Sequence, residues 1–300
     1  VDQTRLATEA ELIDKGMGLL SEMLRHGTTT AEAKSGYGLN LETERKQLQV
    51  INKLNESHPV DLVPTFMGAH AVPREYRGRR QEYVDLVIHQ MLPAIAEEKL
   101  ARFCDVFCET GVFTPEESLR ILEQAKRLGL GGKLHADEVD SLGGAELAAK
   151  AKCLTAEHLV AASAQGILDM AKQNVIAVLL PATSFYLDKP FAPARDMLDK
   201  GLAIALGTDF NPGSSPNLNM QFAMSCACLR LRMTPEEVLT AATLNSAAAV
   251  GLAEQTGSLE AGKQADLVLW DAPDLAYIFY RYGSNLVHSV VKNGVLYAAA

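Results

Sequence analysis

Short apolar runs bounded by glycine and polar residues alternate along the chain with longer stretches in which apolar residues recur every three or four positions. These are the patterns of buried strands and amphipathic helices. They predict helix Glu9 to His26, strand Gly27 to Ala33, a loop over Lys34 to Gly38, helix Thr43 to Asn55, strand Asp61 to Gly68 and helix Gln81 to Glu98. Strand Phe103 to Glu109 follows, then a helix opened by Thr114-Pro115-Glu116-Glu117, whose N-cap, N1 proline and first-turn acids mark a helix start. The alternation continues through strand Gly131 to His135, helix Gly144 to Lys150, strand Cys153 to His158, helix Ala161 to Gln173, strand Val175 to Leu180, helix Pro193 to Lys200 and strand Leu202 to Asp209.

Seven such strands, each followed by a helix or helix-like stretch, predict an α/β fold around a parallel sheet buried on both faces. A doubly wound open sheet and a closed TIM-type barrel both satisfy the pattern. No strand runs into a phosphate-cradling G-x-G-x-x-G turn, and polar residues end strand after strand, which favours the barrel. Seven strands are one short of its eight. After Thr234-Pro235-Glu236-Glu237, a further helix start, Gly257 to Asp271 and Ser289 to Tyr297 read as strands with turns at Ala261-Gly262 and Asn293-Gly294, a small β appendage.

At 300 residues, with 48% hydrophobic and 22% charged side chains, the chain is too apolar to be disordered. Its net charge of -9, from 37 acidic against 28 basic residues spread along the sequence, argues against nucleic acid or an anionic membrane as partner and favours a small molecule. No run approaches the roughly 20 apolar residues of a membrane span. No leader opens the chain, so a cytoplasmic location is expected. Cys104, Cys108, Cys153, Cys226 and Cys228 lack CxxC spacing and read as reduced, buried residues. The basic stretch Arg74 to Arg80 reads as a solvated loop.

His70, Glu109, His135, His158 and Asp209 each stand just past an apolar run, the end of a barrel strand where chemistry collects. Imidazole and carboxylate together suit zinc or ferrous iron, and such an ion lowers the pKa of bound water from about 15.7 to about 7. Asp209 is the most informative, because a carboxylate directly after a fully apolar strand is costly unless paired or metal-bound. Glu138 also reads as an acid at a helix start. Tyr37 and His70 lie on short or glycine-rich loops from which a side chain reaches over the mouth. Lys34 suits a base, a carboxylated bridging ligand or, more simply, a structural lysine. His26, His58, His89 and His288 read as structural, and Ser35, Ser214 and Ser215 lack a nucleophile elbow.

Four segments carry a resemblance: Lys34-Ser35-Gly36-Tyr37-Gly38-Leu39, Met67-Gly68-Ala69-His70, Lys133-Leu134-His135-Ala136-Asp137-Glu138 and Gly207-Thr208-Asp209-Phe210-Asn211-Pro212-Gly213. Through them the chain resembles the amidohydrolase superfamily of metal-dependent hydrolases over about Thr4 to Tyr297. The resemblance implies a (β/α)8 TIM-type barrel in residues 1–252 with strands 2 to 8 present and the first absent. Residues 253–300 would then be the C-terminal part of a small β-sandwich domain. It implies hydrolysis of 4-imidazolone-5-propanoate to N-formimidoyl-L-glutamate in histidine degradation. His135 and Asp209 would hold one zinc or iron ion. Asp209, His158 and Glu138 would be catalytic, and Tyr37, His70, Glu138, Asn211, Gly213 and Ser214 would meet the substrate. A homodimer is left open.

The family's first strand carries a His-x-His pair that supplies two ligands, and no two histidines of this sequence stand two apart. An arginine for the substrate carboxylate would lie in the same segment. These departures predict that the 300 residues are a fragment or truncated isoform with an incomplete metal site, inactive by themselves. Two alternatives compete: another metal-dependent amidohydrolase or deaminase, and a catalytically dead barrel serving as a binding or oligomerising subunit.

Overall fold

A computed structural model describes residues 1–298. Helices α1 (Asp2–Leu6) and α2 (Glu9–Arg25) precede β1 (Thr30–Lys34), α3 (Leu41–Ser57), β2 (Asp61–Ala69), α4 (Arg80–Leu86), α5 (Leu92–Glu97), β3 (Phe103–Cys108), α6 (Pro115–Arg127) and β4 (Gly131–Ala136). Then come α7 (Gly144–Ala151), β5 (Thr155–His158), α8 (Ala164–Gln173), β6 (Ile176–Leu179), α9 (Pro181–Tyr186), α10 (Ala194–Asp199) and β7 (Ile204–Leu206). The remainder is α11 (Met220–Arg230), α12 (Pro235–Ala242), α13 (Leu244–Ala249), β8 (Leu267–Trp270), α14 (Leu275–Tyr280), β9 (Val287–Lys292) and β10 (Val295–Ala298). Strands β1 to β7 form one sheet in chain order, the order that repeated strand-helix-strand crossovers generate. Strands β8 to β10 form a separate antiparallel sheet in the order β10-β9-β8.

Two compact units divide the chain: residues 1–17, 32–58 and 62–175, and residues 18–31, 59–61 and 176 onward. In the first, α6 begins as its sequence predicts. Thr114 Oγ1 accepts from the Glu117 amide at 3.2 Å and Glu117 Oε2 accepts from the Thr114 amide at 2.9 Å, a closed capping box. Its buried face, Ser118, Ile121, Leu122 and Ala125, repeats at the three- and four-residue spacing of one helix side. The centres of β3, β4 and β5 bury Cys104, Val106, Leu134 and Ala156 completely. The single helix expected over Gln81 to Glu98 is α4 and α5 joined through a π turn at Val87–Met91.

In the second unit Ile176, Ala205 and Ala249 pack together with Val178 and Ala248. Buried Lys292 bonds Asp61 at 2.6 Å and Asp266 at 2.7 Å. The strand expected from Gly27 starts only at Thr30, because Gly27 takes a left-handed φ of 91° and the Gly27 and Thr28 amides still bond the last turn of α2. The strand expected over Gly257 to Asp271 shrinks to Leu267–Trp270. The turn expected at Asn293-Gly294 within Ser289 to Tyr297 joins β9 and β10 into a hairpin, with positive φ at both turn positions. Helix α11 shows no period because it buries Gln221, Ala223, Met224, Ser225, Cys226 and Ala227 in nearly unbroken succession. All five cysteines are free, and burial pushes the Cys108 and Cys226 thiols up to about 11.

Candidate functional site

Alternate residues of a strand share a face, and register aligns them across the first unit. Asp105 pairs with Lys133, Phe107 with His135, Lys133 with Thr155, and His135 with Glu157. Asp105, Lys133, His135 and Glu157 thus stand on one face, joined by Glu32 and Lys34 from β1. Lys34 Nζ lies 2.5 Å from Asp105 Oδ2, 3.3 Å from Glu32 Oε1 and 3.6 Å from Glu157 Oε1. Lys133 Nζ donates to Glu32 Oε2 at 2.9 Å, and Thr65 and Thr155 hydroxyls donate to Glu32 and Glu157 at 2.5 and 2.7 Å. His135 Nδ1 is 3.1 Å from Asp105 Oδ1.

Three carboxylates face two ammoniums, which leaves a surplus negative charge in a buried place. Burial works against every charged form here, and the partners decide the outcome. For Asp105, His135 and Lys34 outweigh burial and hold its carboxyl well below the usual range. For Glu32, Lys133 and Lys34 do the same. Glu157 goes the other way: burial pushes its carboxyl up, and its Oε2 has no hydrogen-bond partner. Asp105 raises His135 against the burial that would lower it. Asp105, His135 and Glu157 offer ligand atoms within 4.8 Å of one another, but the cation among them is the Lys34 ammonium, held protonated by its carboxylates despite burial. Its three carboxylate neighbours favour the structural lysine among the sequence alternatives.

At the strand ends of the same unit the predicted residues come together in a row. Ring centroids step 5.2 Å from Tyr37 to His70, 6.1 Å to Phe107, 5.8 Å to His135 and 5.1 Å to His158. Buried Glu44 holds the Tyr37 loop by accepting from the Gly36, Gly38 and Leu39 amides at 2.8–2.9 Å. His70 Nδ1 bonds the Gly36 carbonyl at 2.9 Å, and burial lowers the His70 pKa. Gly36 has a φ of 107°, and a Cβ there would stand 3.0 Å from the Met67 carbonyl oxygen, so this close turn requires glycine.

Glu138 is placed by its neighbours. Asp137, left-handed at φ 50° and buried, accepts from the Leu142, Gly144 and Ala145 amides at 2.9 Å each. The acid at the start of α7 is thus Asp137, and Glu138 is released from the helix-start role. Glu109 clasps the other side, accepting from the Val139 amide at 2.9 Å. Glu138 Oε2 then stands 3.6 Å from Nε2 of His158, itself strained at φ 70°.

In the second unit Asp209 has a φ of 53° and accepts from the Thr183 hydroxyl at 2.6 Å. Asn211 organises the loop after it: its side-chain oxygen accepts from the Gly213 and Ser214 amides at 2.8 and 2.7 Å, and its Nδ2 donates to the Asp209 carbonyl at 2.7 Å. Ser214 Oγ accepts from the same Nδ2 at 2.9 Å. Sequence reasoning passed over Glu32, Glu44, Asp105, Lys133 and Glu157. The available signal was a charge set among apolar strand residues, as in Phe103-Cys104-Asp105-Val106-Phe107-Cys108.

The amidohydrolase family matches residues 14–296. The imidazolonepropionase of Brevibacillus brevis is 54% identical over 296 residues, covering 99% of this chain and 70% of the relative. That of Alkaliphilus metalliredigens is 55% identical over 297 residues, with 99% and 70% coverage. The chain thus spans about 70% of the length of these relatives. Among solved structures, a zinc-bound adenosine deaminase from Xanthomonas campestris superposes with a TM-score of 0.72 at 22% identity, covering 98% of this chain and 71% of its own. Escherichia coli guanine deaminase superposes with a TM-score of 0.77 at 15% identity, covering 99% and 77%. Those likenesses give the fold, a TIM-type α/β architecture in which seven parallel strands are present. Among the described residues no helix is long and apolar enough to cross a membrane. With 54–55% identity to these relatives across nearly the whole of this chain, the protein belongs to the amidohydrolase family and, within it, to the imidazolonepropionases.

Proposed function

We propose that the chain catalyses hydrolytic opening of 4-imidazolone-5-propanoate to N-formimidoyl-L-glutamate, with His135 and Asp209 holding one zinc or iron ion. The identity of 54–55% to imidazolonepropionases over 99% of the chain carries the reading. The donor chemistry fits a divalent ion: His135 engages a carboxylate through Nδ1, the bond that leaves Nε2 for a metal. When bound, such an ion lowers the pKa of water toward about 7.

The chain's own residues supply the proton traffic. Asp209 takes a proton from the water that attacks the ring carbonyl and returns it to the ring nitrogen as the C–N bond breaks. The Thr183 hydroxyl steadies the carboxylate meanwhile. His158 donates to the developing oxyanion, and Glu138, 3.6 Å from it, holds the ring nitrogens. Tyr37 and His70 meet the substrate from their pinned loops, and Asn211, Gly213 and Ser214 border it from theirs. Residues 1–252 as barrel, 253–300 as small β domain and a cytoplasmic location belong to the same reading; a homodimer is left open.

Incubating the purified protein with the imidazolone and Zn2+ or Fe2+ tests the assignment. Metal-dependent formation of N-formimidoyl-L-glutamate supports it and overturns the expectation that these 300 residues are inactive alone. Deamination of aminated rings without ring opening would replace it with a deaminase, and substrate binding without turnover would make the chain a binding subunit.

A further inference from the structure

Beside His135 lies an ion pair, buried Asp105 with partly buried Lys34, that takes no part in the proton traffic of ring opening. Asp105 presents one oxygen to each neighbour: Oδ1 is 3.1 Å from His135 Nδ1, and Oδ2 is 2.5 Å from Lys34 Nζ. An ionised carboxylate only accepts hydrogen bonds, and an ammonium only donates them. The ring nitrogen facing Oδ1 therefore carries a proton, and in the neutral ring the lone pair is left on Nε2. We propose that Asp105, anchored by Lys34, is a positioning residue that fixes His135 in its Nδ1–H tautomer and aims Nε2 as the ligand atom. The inference rests on His135 being a metal ligand and specifies how it is prepared.

Lys34 gives the arrangement a direction. In Asp105→Asn the amide has one accepting and one donating end, and Lys34 can face only the accepting oxygen. The amide NH2 is then turned toward the ring, Nδ1 must accept, and the ring proton moves to Nε2, where it blocks a metal. An almost isosteric change thus reverses the tautomer. Removing Lys34 as well, in Lys34→Met with Asp105→Asn, frees the amide to turn and allows Nδ1–H again. A purely structural role for the ion pair predicts neither the reversal nor the rescue.

The test is long-range 1H–15N correlation on the metal-free full chain labelled at histidine, at alkaline pH where the ring is neutral. The His135 signal is assigned by its loss in His135→Gln. Expected are Nδ1–H in the wild type, Nε2–H in Asp105→Asn and recovery of Nδ1–H in the double variant. Zn2+ affinity from chelator competition should fall about 10–100-fold in the single variant and recover in the double. An Nε2–H ring in the wild type overturns the proposal even if the variants fail to fold, as does an unchanged tautomer in Asp105→Asn. A reversed tautomer with undiminished Zn2+ affinity overturns the positioning role. Absence of Zn2+ binding by the wild type would instead sink the ligand reading of His135, with the tautomer still decided by the spectra.

Discussion

Asp209 sits in a left-handed conformation just beyond Gly207 and Thr208 at the end of the apolar β7, where the Thr183 hydroxyl supports one carboxylate oxygen. A residue so placed is costly to keep unless its charge is used. Asp209→Asn retains an oxygen for Thr183 but no proton acceptor, and kcat for ring opening is expected to drop about 10²–10⁴-fold. His158→Ala removes the oxyanion donor and should cost about 10²–10³-fold; an unchanged kcat in either would remove that residue from the scheme. Glu44 acts at one remove, through the Gly36, Gly38 and Leu39 amides that it holds. In Glu44→Gln one of the accepting oxygens becomes a donor facing an amide, at a cost of about 1–3 kcal/mol in stability. The Tyr37 loop loosens, so steady-state kinetics should show KM rising by a larger factor than kcat falls. Asp209, His135 and His158 were legible because a polar residue closes an apolar run. Glu44 was not, since an acid in the first turn of a helix ordinarily faces water.

Helix starts were the most legible elements, because capping is chemistry between near neighbours in sequence. Both Thr114-Pro115-Glu116-Glu117 and Thr234-Pro235-Glu236-Glu237 close as capping boxes. Thr114→Ala and Thr234→Ala should each lower the unfolding free energy by about 1 kcal/mol. The boxes share no partner, so the double variant should show about the sum in urea titrations. Loops depend on distant neighbours instead. A Cβ on Gly144 would meet the Ala136 Cβ at 2.8 Å, so Gly144→Val must push the β4–α7 loop aside. The expected cost is about 1–3 kcal/mol in a thermal or urea melt, together with weakened ring opening as Glu138 shifts from His158. Strand Gly257 to Asp271 was overread because apolar residues between turns resemble a strand until their hydrogen-bond partners are known.

Across the molecule, the feature with the widest reach is the charged layer buried in the first unit. Glu32 and Asp105 have carboxyls held below the ordinary range, as Lys133, Lys34 and His135 overcome burial. Their stabilisation is present above the unfolded carboxylate range and is lost as pH falls through the depressed folded values. Lys34, raised by Asp105, Glu157 and Glu32 against burial, stabilises below its ordinary value of 10.5 and stops doing so as pH rises through its higher folded value. Urea unfolding across pH should therefore show stability falling on the acid side, with a shallower fall in Asp105→Asn. Lys34→Met, which leaves buried carboxylates uncompensated, should cost about 3–5 kcal/mol at neutral pH. The sequence alone determined the alternation of strands and helices, the helix starts and the family motifs, because each is written in residues close together along the chain. Only the tertiary structure decided that partly buried Lys34 is ringed by carboxylates, that Asp137 rather than Glu138 starts α7, and that Asp105 addresses His135. The Lys34 and Asp105 outcomes depend on strand register, which brings residues 71 and 30 positions apart within hydrogen-bond distance, and in a low-dielectric interior such partners set the charge and direction of each group; the Asp137 outcome depends on how its loop folds back onto the α7 amides.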